Sequence, residues 1–353
     1  SVEVVDDGPV AEVCVKAENA NLLTGETSRL LVWAENALGK EITSGITWSF
    51  TSQDPSIVSV DETGVITGGT KPGRTLIRIQ ADQNGSLCST TLAATLLQEV
   101  EEPMTFDQLD ALPAGFELIF GKTGFPLLDG KNVLSLADDS SASAATLEFV
   151  GPASQKKIFE AMLYPQTLDK SFVILMMGFN GIKEGAFQIS VLKDGSVNYF
   201  TDQYYPLLPA GTIQQGNWYR IRMEADCLGI TRLYINGKFS GEIPLRTLAL
   251  TTVDRVQLIA GSTNGTRDVL YCDEFLFFTP TEETLAPNTI DAEELPELLV
   301  DGQAQIQAAV KNKFGVLLYD ADLRYQSQDE TVASVDASGN LTGISPGQTT
   351  ITI

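Results

Sequence analysis

Histidine is absent from this 353-residue chain. That removes the commonest general base and a leading metal ligand at once, so imidazole-dependent catalysis is excluded. Cysteine is scarce. Cys14, Cys88, Cys227 and Cys272 are the only four, and no two form a CxxC pair, so a thiolate zinc site is not expected. Two lie near the start and two in the central stretch, the parity that Cys14–Cys88 and Cys227–Cys272 disulfides need; buried free thiols are the equal alternative. Positive charge is short as well. With 23 Lys and Arg against 46 Asp and Glu, the formal net charge is −23. Such a chain repels nucleic acid, anionic membrane surfaces and any anionic polysaccharide not bridged by a cation. No run of about 18 apolar residues is present to span a membrane. The opening SVEVVDDGPV has no basic start followed by an apolar core, so no signal peptide is expected there.

What the chain does have is a hydrophobic fraction of 43%, enough for several packed cores, in short runs of strand formers cut by Gly and Asn turns. It also has a repeat. ITWSFTSQDPSIVSVDETGVITGGTKPGRTLIRI, from Ile46, returns near the end as DLRYQSQDETVASVDASGNLTGISPGQTTITI, from Asp322. Ser52-Gln53-Asp54 recurs as Ser327-Gln328-Asp329, Ser59-Val60-Asp61 as Ser334-Val335-Asp336, and Gly64 and Gly68 as Gly339 and Gly343, an offset of 275 (339 − 64 and 343 − 68). Pro72-Gly73 comes back as Pro346-Gly347 after a one-residue deletion. Two copies of one module therefore bracket something different.

In the first copy, alternation places Ala11, Val13 and Val15 on one face of a strand, and Leu30, Val32 and Ala34 on one face of another. Trp33 and Trp48 are both expected in the core. Turns at Gly25, Asp54-Pro55-Ser56, Asp61–Gly64, Lys71-Pro72-Gly73 and Gln83–Ser86 recur about every ten residues, the pattern of an immunoglobulin-like sandwich. The stretch WSFTSQDPSIVSVDETGVITGGTKPGRTLIRI resembles the bacterial Ig-like group 2 family, over about residues 10–98 and again over about 294–353. The second copy departs from the pattern with Leu323 in place of Trp48, and it stops at Ile353 before the strand corresponding to Leu87–Leu97, so the chain is expected to belong to a longer one. The resemblance implies spacer or adhesion modules of exported bacterial proteins, hence an extracellular or cell-surface location.

Two acidic stretches, Gln98–Pro103 and residues 279–296, read as extended linkers. They divide the chain into residues 1–98, 104–279 and 294–353. The central region is strand-rich throughout. Ile158–Leu163 and Phe172–Gly178 are continuously apolar, as inner strands are, and a hairpin runs through Thr231–Ile235 and the turn Asn236-Gly237. About 175 helix-free residues point to a two-sheet jelly roll. GNWYRIRMEADCLGITRLYINGKFSGEI, with the later Asp273-Glu274-Phe275, resembles concanavalin A-like (laminin G-type) domains, a fold shared by lectins, lyase accessory modules and sugar hydrolases. The fold class is thus all-β, with two immunoglobulin-like sandwiches flanking a jelly roll, and Trp218 is expected in its core.

For catalysis, sugar hydrolases of that fold carry E-x-D-x-x-E or E-x-D-x-E on one strand. Glu224-Ala225-Asp226 comes nearest but lacks the third carboxylate, and two carboxylates about 5–10 Å apart in an open cleft are what an enzyme would need. No catalytic residue is assigned. Asp138, Asp139 and Asp273 are the candidates for a structural calcium ion, since calcium takes oxygen ligands from acidic turns. For a sugar ligand, the loop NYFTDQYYPLLP offers aromatic platforms beside polar groups: Tyr199, Asp202, Tyr204 and Tyr205. The sequence thus predicts a non-catalytic unit that binds carbohydrate or another surface ligand through its central domain. The alternatives are an accessory region of a polysaccharide lyase or glycoside hydrolase, and a purely structural surface protein.

Overall fold

The computed structural model describes residues 8–140, 142–262, 267–295 and 297–353, which leaves out most of the opening stretch and Pro296 of the second linker. The fold is all-β. Among the described residues there is one helical turn, Glu282–Leu285, and no helix long and apolar enough to cross a membrane.

Two four-stranded sheets use residues up to Leu96. One orders Val10–Ala17, Thr27–Asn36, Val65–Gly68 and Val58–Val60; the other orders Asn21–Leu22, Ser86–Leu96, Gly73–Gln83 and Thr47–Ser52. Period-two alternation delivers Val13, Leu30, Ile66, Ile77 and Ile79 to a common core, against which Trp48 and Phe50 pack. Trp33 departs from expectation. It shares parity with the outward residues of its strand, lies opposite Cys14, and donates its indole N–H to Glu35 at 2.9 Å. The repeat survives in the loops. Asp61 Oδ1 accepts from the N–H groups of Thr63 and Val65, and Asp336 Oδ1 from those of Ser338 and Asn340. Gly64 and Gly339 both take positive φ, 79° and 77°, directly under the rings of Phe50 and Tyr325.

Residues 100–278 build two larger antiparallel sheets. The seven-stranded sheet runs Phe116–Phe120, Ala145–Ser154, Val253–Ala260, Ser171–Phe179, Lys183–Leu192, Val197–Phe200 and Tyr204–Leu208. The eight-stranded one runs Lys122–Gly124, Leu134–Ala137, Val269–Phe278, Lys156–Thr167, Tyr219–Asp226, Thr231–Ile235 and Lys238–Ile243, and Val100–Met104 also pairs with Val269–Phe278. The two continuously apolar runs lie on inner strands, as read. The hairpin turn takes positive φ at Asn236 and Gly237 (51° and 77°), the geometry that matches strand twist. Between the sheets lies one core containing Phe149, Phe159, Phe275 and Phe277, whose rings meet mostly edge to face. Each such ring contributes about 2 kcal/mol by burial, more than an exposed ion pair does.

Neither acidic stretch is a free linker. Val100 is buried and its strand extends the larger sheet, while Thr281 and Thr284 form a capping box on the helical turn and Thr289–Ala292 pairs with Ala308–Lys311. Glu99 joins the two stretches. It accepts from the fully buried Lys157 ammonium at 2.7 and 2.8 Å, and from the Thr279 N–H and hydroxyl at 3.1 and 2.7 Å. A small second core, Ile158, Leu276 and Phe278 with Val316 and Phe314, binds the last module to the outer face of the eight-stranded sheet.

All four cysteines are free. Cys272 lies beside Leu163, and the Cys227 N–H bonds the Gln155 carbonyl, eight residues away along the strand between them. That places them roughly 26 Å apart along the strand, far beyond disulfide reach. Cys14 faces outward beside Glu12 and Glu35, whereas Cys88 packs against the core and contacts the Ala11 carbonyl. Burial pushes the Cys227 thiol up to about 11 and Cys272 higher still.

Candidate functional site

The four residues assigned to a sugar ligand do come together, on a hairpin rather than a loop. Val197–Phe200 and Tyr204–Leu208 pair antiparallel at the edge of the seven-stranded sheet, with Tyr199 opposite Tyr205 and Phe200 opposite Tyr204. Alternation sends the two pairs to opposite faces. On the inner side Tyr199 stacks on Tyr205 (centroids 5.3 Å, 17°) and packs against the core. The Tyr205 hydroxyl donates to Asp202 Oδ1 at 3.1 Å, and Gln203 donates to the same hydroxyl. Hydrogen bonds from Thr201 first, then from its own backbone N–H and from Tyr205, hold the Asp202 carboxyl below its ordinary range. On the outer side Tyr204 is 55% exposed and meets Phe200 edge on, while the Arg246 guanidinium covers Phe200 at 4.4 Å and donates to Gln188. Tyr204 is therefore the exposed ring of the four aromatics, while Tyr199 and Tyr205 are stacked on each other.

The proposed calcium ligands do not converge. Asp138 follows the Ala137–Val269 pair and Asp273 follows the Leu134–Cys272 pair, so about five residues, roughly 17 Å of strand, separate them. Ligands of one calcium ion must all lie within about 2.6 Å of it. Asp139 instead pairs with Lys122 at 3.0 Å. Asp273 is buried, and its carboxyl is raised chiefly by that burial. Among the described residues no group of three or more Asp, Glu or Cys could hold a metal ion.

Two features escaped the sequence reading. Trp218 precedes its strand and is not core; it lies against Tyr164, which stacks on Tyr271, in a half-buried aromatic row on the outer face of the eight-stranded sheet. The second is a cleft of about 1090 Å³ between that face and the last module. Its floor carries Glu224, Asp226 and Arg232, and its wall carries Tyr319 and Asp320. Glu160 is the anchor beneath. It is 1% exposed and accepts from Arg222 Nε at 2.5 Å, Arg220 Nη1 at 2.9 Å and the Tyr319 hydroxyl at 2.9 Å. Arg220 goes on to Glu274, a residue held at φ 48° by the bulge opposite Glu160–Met162. Arg222 also donates to the Leu317 carbonyl at 2.7 Å and lies 4.1 Å over the Tyr319 ring. Glu224 and Asp226 stand on one face of their strand, about 7 Å apart by strand geometry. Burial raises the Glu224 carboxyl, against the opposing pull of Arg222. At Asp226 burial is outweighed by hydrogen bonds from Gln155, the Leu228 N–H and Lys156, which together hold it low.

The family model described as Bacterial Ig-like domain (group 2) matches residues 287–353. No curated relative matches the chain. Similar solved structures include a sialidase, at 11% identity with a TM-score of 0.46, covering 75% of this chain and 32% of the sialidase. Two botulinum neurotoxin structures cover 46% of this chain and 42% of their own. One, titled for type C cell entry through two ganglioside molecules, has 8% identity and a TM-score of 0.34; the other, a serotype D binding domain, has 12% and 0.33. The chain thus spans less than half the length of each.

Proposed function

We propose that this chain is a non-catalytic glycan-binding unit of an exported bacterial protein, in which a jelly-roll, concanavalin A-like central domain carries the ligand and Ig-like modules hold it out from a surface. The observation that supports this best is the edge hairpin. Tyr204 stands exposed on a scaffold fixed by the Tyr199–Tyr205 stack, with Asp202 and Gln203 at the turn to meet hydroxyls. A sugar ring laid on Tyr204 contacts an aromatic face and finds acceptors and donors beside it.

A glycan array probed with the whole chain, with calcium and with chelator, tests the reading. Binding that is lost in Tyr204→Ala and in Asp202→Ala, and kept in Trp218→Ala, places the ligand at the hairpin. Loss in Trp218→Ala alone moves it to the aromatic row, and silence across neutral and acidic glycans refutes a glycan role. Loss with chelator would assign a calcium ion.

A second reading, glycoside hydrolysis, draws on Glu224 and Asp226, whose environments push their carboxyls apart in an open cleft as an acid and base require. The three donors already bound to Asp226 favour a structural role for it. Turnover of any glycan that vanishes in Glu224→Gln would reverse that preference.

A further inference from the structure

Among the described residues of the central sandwich, five cations are buried or half-buried, and four of them have carboxylate partners. Lys157 pairs with Glu99, Arg220 with Glu160 and Glu274, Arg222 with Glu160, and Arg255 with Glu148 and Asp254. The fifth, Arg246, pairs with none of the described carboxylates. A partly desolvated charge without a counter-charge is unfavourable, and an anion brought by a ligand would complete it.

What holds Arg246 in place is neutral. Its Nη1 donates to Gln188 Oε1 at 2.9 Å, and Gln188, only 8% exposed, donates in turn to Ser190 Oγ at 3.3 Å. Its backbone N–H bonds the Ala186 carbonyl at 2.8 Å. Gly185 leaves room for the guanidinium, since a Cβ there would fall 2.6 Å from Nη1. Glu184 follows Gly185 in register and so projects from the other face; it does not reach Arg246, although its Oε2 has no hydrogen-bond partner. Asp202 is taken up by Thr201 and Tyr205. Phe200 links the charge to the exposed hairpin ring: the guanidinium lies 4.4 Å over it, and the Tyr204 centroid is 4.9 Å from its own. Charge and exposed ring are therefore at most about 9 Å apart, so one ligand can touch both.

We infer that the hairpin selects an acidic sugar, whose carboxylate or sulfate ester pairs with the guanidinium fork of Arg246 while a sugar ring lies on Tyr204. This rests on the glycan-binding reading of the hairpin and names the class of sugar it takes. The net charge of −23 still opposes a polyanion, so the occupant is an otherwise neutral glycan that presents a single acid group at short range.

Calorimetric titration of the whole chain with lactose, 3′-sialyllactose and 3′-sulfolactose tests this, because the three share a neutral core and differ in the acid group. At least one acidic sugar is expected to bind about tenfold tighter than lactose, sialyllactose alone assigning a carboxylate and sulfolactose alone a sulfate ester. The preference should vanish in Arg246→Gln and survive in part in Arg246→Lys, which keeps the charge without the fork. It should also shrink as salt is raised from about 0.05 to 0.5 M, a response that a merely structural arginine would not give. Equal affinity for the three sugars, a preference untouched in Arg246→Gln, or no binding of any of them overturns the acid assignment. Binding of neutral glycans on the array would then leave the hairpin reading standing, whereas a silent array removes both.

Discussion

Removing the hydroxyl of Tyr319 should loosen the last module from the central sandwich by a calculable amount. That hydroxyl donates to Glu160 at 2.9 Å, and Glu160 keeps Arg220 and Arg222 when it is lost. A hydrogen bond to a buried charged acceptor is worth about 1.5–3 kcal/mol, so Tyr319→Phe should cost roughly 2 kcal/mol. Tyr319→Ala loses more: the guanidinium contact at 4.1 Å, about 1–2 kcal/mol when desolvated, and the ring contact with Tyr234 at 5.2 Å, about 1 kcal/mol. The three effects share Arg222 and Glu160 and will not add fully, so roughly 4 kcal/mol is the expected total. Urea unfolding followed by tryptophan fluorescence, which reports the first two modules, together with protease cleavage between residues 280 and 320, separates the effects. Alanine should open the 280–320 segment to cleavage well below the unfolding midpoint, with phenylalanine intermediate. If alanine leaves cleavage as slow as in the parent chain, or if phenylalanine is as damaging as alanine, the junction is not held by these contacts.

Other consequences follow from single residues. Gly64→Ala and Gly339→Ala each force a Cβ into positive φ and within 3.1 and 2.9 Å of an aromatic ring, so each should cost its own module about 1–3 kcal/mol in thermal unfolding. The Asp54 carboxyl is held down to about 2, first by Ser56 and then by Lys71. Its contribution is full above the ordinary value of 3.8 and fades as the pH falls to about 2, so the stability gap between parent and Asp54→Asn should close across that window. For Glu224 the sign is opposite. Its raised value favours the protonated fold at low pH, so Glu224→Gln should gain stability over the parent as the pH rises and show no gain in acid. Alkylation of the denatured, unreduced chain should label all four cysteines; a missing pair in the mass spectrum would contradict the geometry at Cys227 and Cys272.

How far the sequence could be read depends on how local each feature is. The repeat was legible because its loops are closed by near neighbours: Asp61 to Val65 and Asp336 to Asn340 are four-residue reaches. The grouping of Tyr199, Asp202, Tyr204 and Tyr205 was visible for the same reason, although the inner and outer faces of their hairpin were not separated until register set Tyr199 against Tyr205. Trp33 and Trp218 misled because size suggests burial, while parity on a strand decides it. The cleft and its Glu160 anchor were invisible. Their contacts, from Glu160 to Tyr319 and from Lys157 to Glu99, join residues far apart in the chain whose meeting no local pattern encodes.

The clasp at Glu99 has a mechanical meaning. Lys157 and Thr279 hold the chain's point of entry to the central sandwich beside its point of exit, and Val100–Met104 runs antiparallel to Val269–Phe278 from that same end. Tension applied through the two outer modules passes from one to the other across this knot. The sandwich hangs beside the line of force. Only after the knot parts do the two strands begin to peel, one pair of hydrogen bonds at a time.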